Sequence, residues 1–144
     1  MKISTKGRYA LRMVIELAKR RDDGFTALRE IAQNQNISKK YLEQIIPILN
    51  INGLLQTNRG SQGGYKLAAD PAKCTVGEIL RLTEGNLAPV ACLECDPVQC
   101  ERRDECDTLP VWKGLYNTIT GFLDSITIQD IIDRNINIAA DMEK

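Results

Sequence analysis

Histidine does not occur anywhere in the 144 residues. That excludes Ser-His-Asp and Cys-His catalytic sites, the two-Cys, two-His zinc finger and any histidine-ligated Rieske-type centre. The phosphate-cradling patterns G-x-G-x-x-G and G-x-x-x-x-G-K-[ST] are missing too. Aromatic residues make up only 5% of the chain, and no apolar run is long enough to cross a bilayer. No internal repeat or low-complexity segment occurs. The N-terminal stretch "MKISTKGRYALRMVIELAKRR" is basic, but Arg12 and Glu16 interrupt its apolar positions, so it reads as an amphipathic helix and not as an export signal. The expected location is the cytoplasm, where structural disulfides are rare. With no convergent acid, base and nucleophile, an enzyme is not expected, and neither a small-molecule substrate nor a membrane is an expected partner.

What the chain does contain is enough apolar residue, 43%, to bury the core of one domain. Its net charge of zero conceals a division. Residues 1–66 hold 12 Lys/Arg and 5 Asp/Glu, a net of +7, while residues 67–144 hold 7 and 14, a net of −7. A basic half beside an acidic half points to a polyanion as partner of the first.

Ala10, Met13, Val14, Leu17 and Ala18 recur at threes and fours, the buried face of a helix running from about Thr5 to Arg21. "DDG" stops it, and Thr26 is expected to cap a second helix with Leu28, Ile31 and Ala32 inward. The polar run "QNQN" breaks the pattern. Ser38 then caps a third helix carrying Leu42, Ile45, Ile46 and Leu49 on one face. Two short helices across a tight polar turn form a helix-turn-helix signature. "NGLLQTNRGSQGGYKLA" follows, with Gly53 as a helix stop and a glycine-rich turn between two alternating segments, which predicts a β-hairpin. The expected fold class is mostly α with a small β-hairpin wing: a winged helix-turn-helix plus a long dimerisation helix.

On this reading the outward face of the third helix meets double-stranded DNA. Ser38, Lys39, Lys40, Tyr41, Glu43 and Gln44 lie on or near its first turns, and Arg59, Gly60 and Ser61 on the wing. Gln44 suits adenine and Glu43 a cytosine amine. Lys39, Lys40 and Arg59 suit phosphates, the source of most sequence-independent affinity. Pro47 removes a backbone donor and is expected to kink the helix.

The second half opens with "TVGEILRLTEG", where Thr75 caps a helix and Gly85 stops it. Cys74 beside it reads as a small buried filler. Further on, Trp112, Leu115, Tyr116, Ile119, Phe122, Leu123 and Ile126 make a broad apolar stripe, expected to seal a homodimer. The divisions expected are 1–70 for the winged helix, 71–90 for a connecting helix, 91–107 for a cysteine loop, and 108–144 for the dimer helix and tail.

Four cysteines, Cys92, Cys95, Cys100 and Cys106, crowd the loop "CLECDPVQCERRDEC". Zinc takes four thiolates, and C-x-x-C is a common half-site, but the second C-x-x-C is missing. Iron–sulfur clusters accept looser spacings. Glu94, Asp96, Glu101, Asp104, Glu105 and Asp107 surround the thiols and disfavour thiolates unless a metal offsets the charge. From the residues alone, a cluster, zinc and a thiol–disulfide switch all stay open as the loop's chemistry.

"MKISTKGRYALRMVIELA", "IAQNQNISKKYLEQIIPIL", "GLLQTNRGSQGGYKLA", "TVGEIL", the cysteine loop and "WKGLYNTITGFLDSITI" together resemble the Rrf-type family of bacterial transcription regulators, the IscR-, NsrR- and CymR-like proteins. The order of parts matches over nearly the whole chain. The resemblance implies a homodimeric winged-helix regulator bound to a DNA operator. In its iron–sulfur branch, nearest this chain by the loop, it implies a [2Fe–2S] cluster that sets operator binding, with zinc as the alternative. Cys100 and Cys106 match the last two ligands of that branch, and Cys95 or Cys92 the first. The histidine of IscR-like members falls on Leu109 here, which leaves the spare thiol of Cys92/Cys95, or a carboxylate, as fourth ligand. Control of cluster biogenesis or related stress genes would follow. The reading from another class is a zinc-stabilised protein-interaction adaptor that does not bind DNA.

Overall fold

The computed structural model describes residues 1–136. Its elements run α1 (Thr5–Lys19), α2 (Leu28–Gln35), α3 (Lys39–Ile51), β1 (Leu55–Asn58), β2 (Gly64–Leu67), α4 (Val76–Glu84), α5 (Leu109–Ser125) and α6 (Ile128–Ile132). The expected class, helical with a two-stranded antiparallel wing, is what the chain adopts.

α1 is the central strut. Ser4 caps it by accepting from the Gly7 N–H, and its apolar face buries Ala10, Met13, Val14 and Leu17. Around that face pack Ile31 of α2, Leu42, Ile45 and Leu49 of α3, Leu67 of β2 and Ile79 of α4. Each such side chain, fully buried, contributes about 1.5–3 kcal/mol. Ser38 caps α3 through the Tyr41 N–H, as its sequence position predicts. α2 persists through Gln35 and ends at Asn36, which adopts the left-handed conformation at φ 51°. The polar run stays helical because Asn34 and Gln35 each donate to the Glu16 carboxylate at 2.9 Å. α3 runs as one helix through Pro47 to Ile51.

Thr26 corrects the sequence reading. It is not the cap of α2, which starts from Ala27 with no side-chain cap bond. Instead it is buried and exchanges two 2.9 Å backbone hydrogen bonds with Tyr65, adding one further antiparallel pair to the wing. β1 and β2 pair in register Leu55↔Leu67, Thr57↔Tyr65 and Asn58↔Gly64. Leu55 and Leu67 are buried, fastening the hairpin's base to the core.

α4 begins with a capping box in which Thr75 and Glu78 satisfy each other's backbone N–H. Cys74 is the buried filler expected. α5 spans 17 residues, about 25 Å at helical rise, and not one of them is buried. Its stripe divides. Tyr116 and Leu123, with Ile126 just beyond the helix, pack on Val76, Leu80 and Leu87. Val111, Leu115 and Phe122 stay 60%, 42% and 47% exposed. After Ser125 the chain turns back: Ile126 O accepts from the Val76 N–H, and the Ile128 N–H donates to Cys74 O, both at 2.9 Å. Ile128 on α6 is then fully buried in the same core as Met13. The segment expected at 108–144 therefore returns part of itself to the winged helix, and its residues 137–144 lie outside those described.

Candidate DNA-binding face and cysteine loop

The candidate recognition face lies between α3 and the tip of the wing. A groove of about 520 Å³ runs between them, lined by Lys39, Glu43 and Asn50 of α3 and by Thr57, Arg59 and Gly60 of the hairpin. The structure thus gathers Lys39, Glu43, Arg59 and Gly60 on one surface. Ser38, Lys40, Gln44 and Ser61 are exposed nearby but do not line the groove. Tyr41 stands apart from the others: it is half-buried, with its ring edge-on to Tyr9 at 5.1 Å between centroids.

Two contributions escaped the sequence reading. Thr57 Oγ1 donates to Asn50 Oδ1 at 3.3 Å, joining the wing to α3. Arg12 of α1 sits 5.3 Å from the Tyr9 ring centroid and donates to both the carbonyl and the side chain of Gln35, at the end of α2. The path Gln35–Arg12–Tyr9–Tyr41 ties the turn of the helix-turn-helix to α1. The sequence reading placed this segment in a basic amphipathic helix, and its periodicity gave no sign of these partners.

The cysteine loop is irregular apart from single 3-10 turns at Ala91–Leu93 and Arg103–Glu105. Cys92, Cys100 and Cys106 are partly covered and Cys95 is exposed; all are free thiols. Among the described residues no three Cys, Asp or Glu side chains gather closely enough to hold a metal ion. As folded, then, Cys92, Cys95, Cys100 and Cys106 do not form the four-ligand set that a cluster or zinc requires. Cys95 lines a hollow of about 510 Å³ against Lys113 and Tyr116 of α5. Cys106 lies at the foot of α5, with its sulfur 3.5 Å from the Thr108 hydroxyl. That hydroxyl, aided by backbone N–H groups of Thr108 and Leu109 and by the charge of Arg102, holds the Cys106 thiol below its ordinary pKa. The surrounding carboxylates were expected to do the reverse, and at this position local hydrogen bonding wins. Cys74 shows the opposite: burial, with Glu78 adding to it, pushes its thiol up to about 11.

A helix-turn-helix flanked by a hairpin wing, with basic residues from both lining one groove, defines a winged-helix DNA-binding regulator. The Rrf2 family profile (iron-dependent transcriptional regulator) matches residues 3–134, and the chain belongs to that family. The HTH-type transcriptional regulator CymR of Bacillus subtilis is 42% identical over 131 residues, covering 91% of this chain and 89% of that protein. The solved structure of CymR, the global cysteine regulator of B. subtilis, superposes with a TM-score of 0.77 at 40% identity, covering 93% and 98%. The structure of T. potens IscR matches with a TM-score of 0.74 at 33% identity, covering 100% and 97%. Identity to CymR exceeds identity to this IscR, so overall likeness does not by itself assign the chain to the iron–sulfur branch.

Proposed function

We propose that this transcription regulator works in the cytoplasm as a homodimer closed through α5, and reads a DNA operator with the groove between α3 and the wing. The gathering of Lys39 and Glu43 with Arg59 and Gly60 on one face carries the reading. Gln44 and Glu43 supply base contacts; Ser38, Lys39, Lys40, Tyr41, Arg59, Gly60 and Ser61 hold the backbone. The uncovered face of Val111, Leu115 and Phe122 supports the dimer. Loop 91–107 is the sensing element. An iron–sulfur cluster that modulates operator binding, and with it genes of cluster biogenesis or related stress, is favoured by four thiols in a family of iron-dependent regulators. Such a centre needs the loop to close, because among the described residues no three Cys, Asp or Glu side chains converge on one point.

One observation favours a second reading. The lowered pKa of Cys106 suits a thiol–disulfide switch, in which two thiols lose two electrons and two protons to an oxidant. Iron, sulfide and zinc analysis of anaerobically purified protein, with operator binding measured before and after diamide, tests both. Matched iron and sulfide support the cluster. Metal-free protein whose affinity changes with diamide supports the switch. Zinc alone, with no salt-dependent DNA binding, overturns both in favour of an adaptor.

A further inference from the structure

We propose that Arg12 of α1 is a positioning residue for base readout: by gripping the last residue of α2, it fixes the angle at which α3 meets DNA. The inference rests on the operator reading above and gives Arg12 no contact with DNA. Tyr9, Arg12 and Glu16 recur at threes and fours, so they form one stripe along α1. That stripe holds both helices of the helix-turn-helix.

At one end it holds Gln35, where α2 stops. Arg12 Nε donates to Gln35 Oε1 at 3.2 Å, and Arg12 Nη2 donates to the Gln35 carbonyl oxygen. Gln35 Nε2 in turn donates to Glu16 Oε2 at 2.9 Å. Glu16 is itself held by Arg20 Nε at 3.0 Å and by Asn34 Nδ2 at 2.9 Å. Both ends of the Gln35 amide are thus engaged, and its backbone carbonyl with them. At the other end the Arg12 guanidinium lies 5.3 Å from the Tyr9 ring centroid. Tyr9 meets Tyr41, in the first turn of α3, edge-on.

Only Asn36, Ile37 and Ser38 separate Gln35 from α3. Asn36 turns the chain in the left-handed conformation, and Ser38 caps the new helix. A shift of Gln35 therefore passes directly into the direction of α3. The apolar stripe of α3 keeps the helix on the core, but apolar contact is non-directional and sets its tilt weakly. The planar fork of a guanidinium is directional, and a lysine cannot reproduce it. Hydrogen bonds from Glu43 and Gln44 to base edges need α3 in one orientation. Lys39 and Lys40 can follow a small tilt to the phosphates on their flexible stems. Loss of Arg12 should then cost discrimination between sequences more than affinity for DNA in general.

The test begins with a duplex that the unaltered full chain selects from a random-sequence pool. Binding to it and to a scrambled duplex is measured over a salt series for the unaltered chain, Arg12→Ala and Arg12→Lys. All binding is measured well below each variant's melting transition, so a loss of stability alone moves neither affinity. Both variants should bind the selected duplex about tenfold more weakly and the scrambled one within about twofold of the unaltered chain. The salt slope on the selected duplex should not change. A slope reduced by about one and restored in Arg12→Lys makes Arg12 a phosphate contact and overturns the proposal. Unchanged discrimination in both variants, or an equal loss on both duplexes, overturns it too. Failure of the operator reading looks different: the unaltered chain then enriches no sequence, and the proposal falls with it.

Discussion

Arg81 of α4 and Asp124 of α5 face each other through two parallel 2.7 Å hydrogen bonds, directly over Gly77. A Cβ at Gly77 would collide with Asp124 Oδ1, so the glycine is what lets the fork close. The pair fixes the direction in which α5 leaves the body, because α4 is the main surface α5 packs on. Gly77→Ala should therefore lower the melting temperature and weaken the proposed dimer. A cost of about 1–3 kcal/mol is expected, of the size seen for overpacking, measurable by thermal melts and sedimentation at several concentrations.

The same pair predicts a pH dependence. The Arg81 guanidinium holds the Asp124 carboxyl below its ordinary value. Its stabilisation is thus fully present above the ordinary carboxylate range and is lost as pH falls through the depressed pKa. Both side chains are over a third exposed, 37% and 43%. Solvent screening then limits the effect to less than about 1 kcal/mol. Asp124→Asn should flatten the acid limb of the stability profile slightly and leave the neutral region lower by the same small amount.

On the DNA face, Arg59→Ala should weaken binding to all sequences alike and reduce the salt slope by about one, as expected for loss of one phosphate contact. Glu43→Ala should instead relax the choice of base, by about 1–3 kcal/mol at one position, with the salt slope not reduced. Binding isotherms at several salt concentrations, on matched and single-base-changed operators, separate the two.

Gly64→Ala should detach the wing. A Cβ there would strike the Thr26 carbonyl, breaking the rung between Thr26 and Tyr65. Helical circular dichroism should persist while operator affinity falls at least tenfold, about 1.4 kcal/mol.

The five thiols should divide in metal-free protein. Cys106 should alkylate with a midpoint below the ordinary thiol value, and Thr108→Val should shift that midpoint upward by removing the hydroxyl that lowers it. Cys74 should resist until the protein unfolds, since its thiol is buried and held neutral. Mass spectrometry after timed alkylation across a pH series reads both.

Features settled by neighbours in sequence were legible without the fold. Ser38 and Thr75 cap as their positions predict, because a cap is decided within three residues. The register of apolar residues in α1 and α3 matches what is buried. Thr26 was misread because the residue that claims it, Tyr65, is remote in sequence, and a backbone pairing leaves no trace in side-chain pattern. The stripe on α5 was visible, but periodicity cannot tell a face that packs on α4 from one left open, and this helix has both. For the cysteine loop the spacing gave the number of thiols and nothing about convergence, since a segment without a regular period fixes no direction for its side chains. Arg12 and Asn50 were missed for a related reason: each acts through a partner on another element.

The rung between Thr26 and Tyr65 has a mechanical consequence. It welds the hairpin to the entrance of the helix-turn-helix, and with Thr57 holding Asn50 the reading unit becomes a stiff lever and not a pair of hinged fingers. A stiff lever can be displaced but not reshaped. In the proposed dimer, a signal arriving along α5 therefore changes the separation of two fixed reading heads. The length of the spacer between the halves of an operator then becomes the variable through which one site responds and another stays silent.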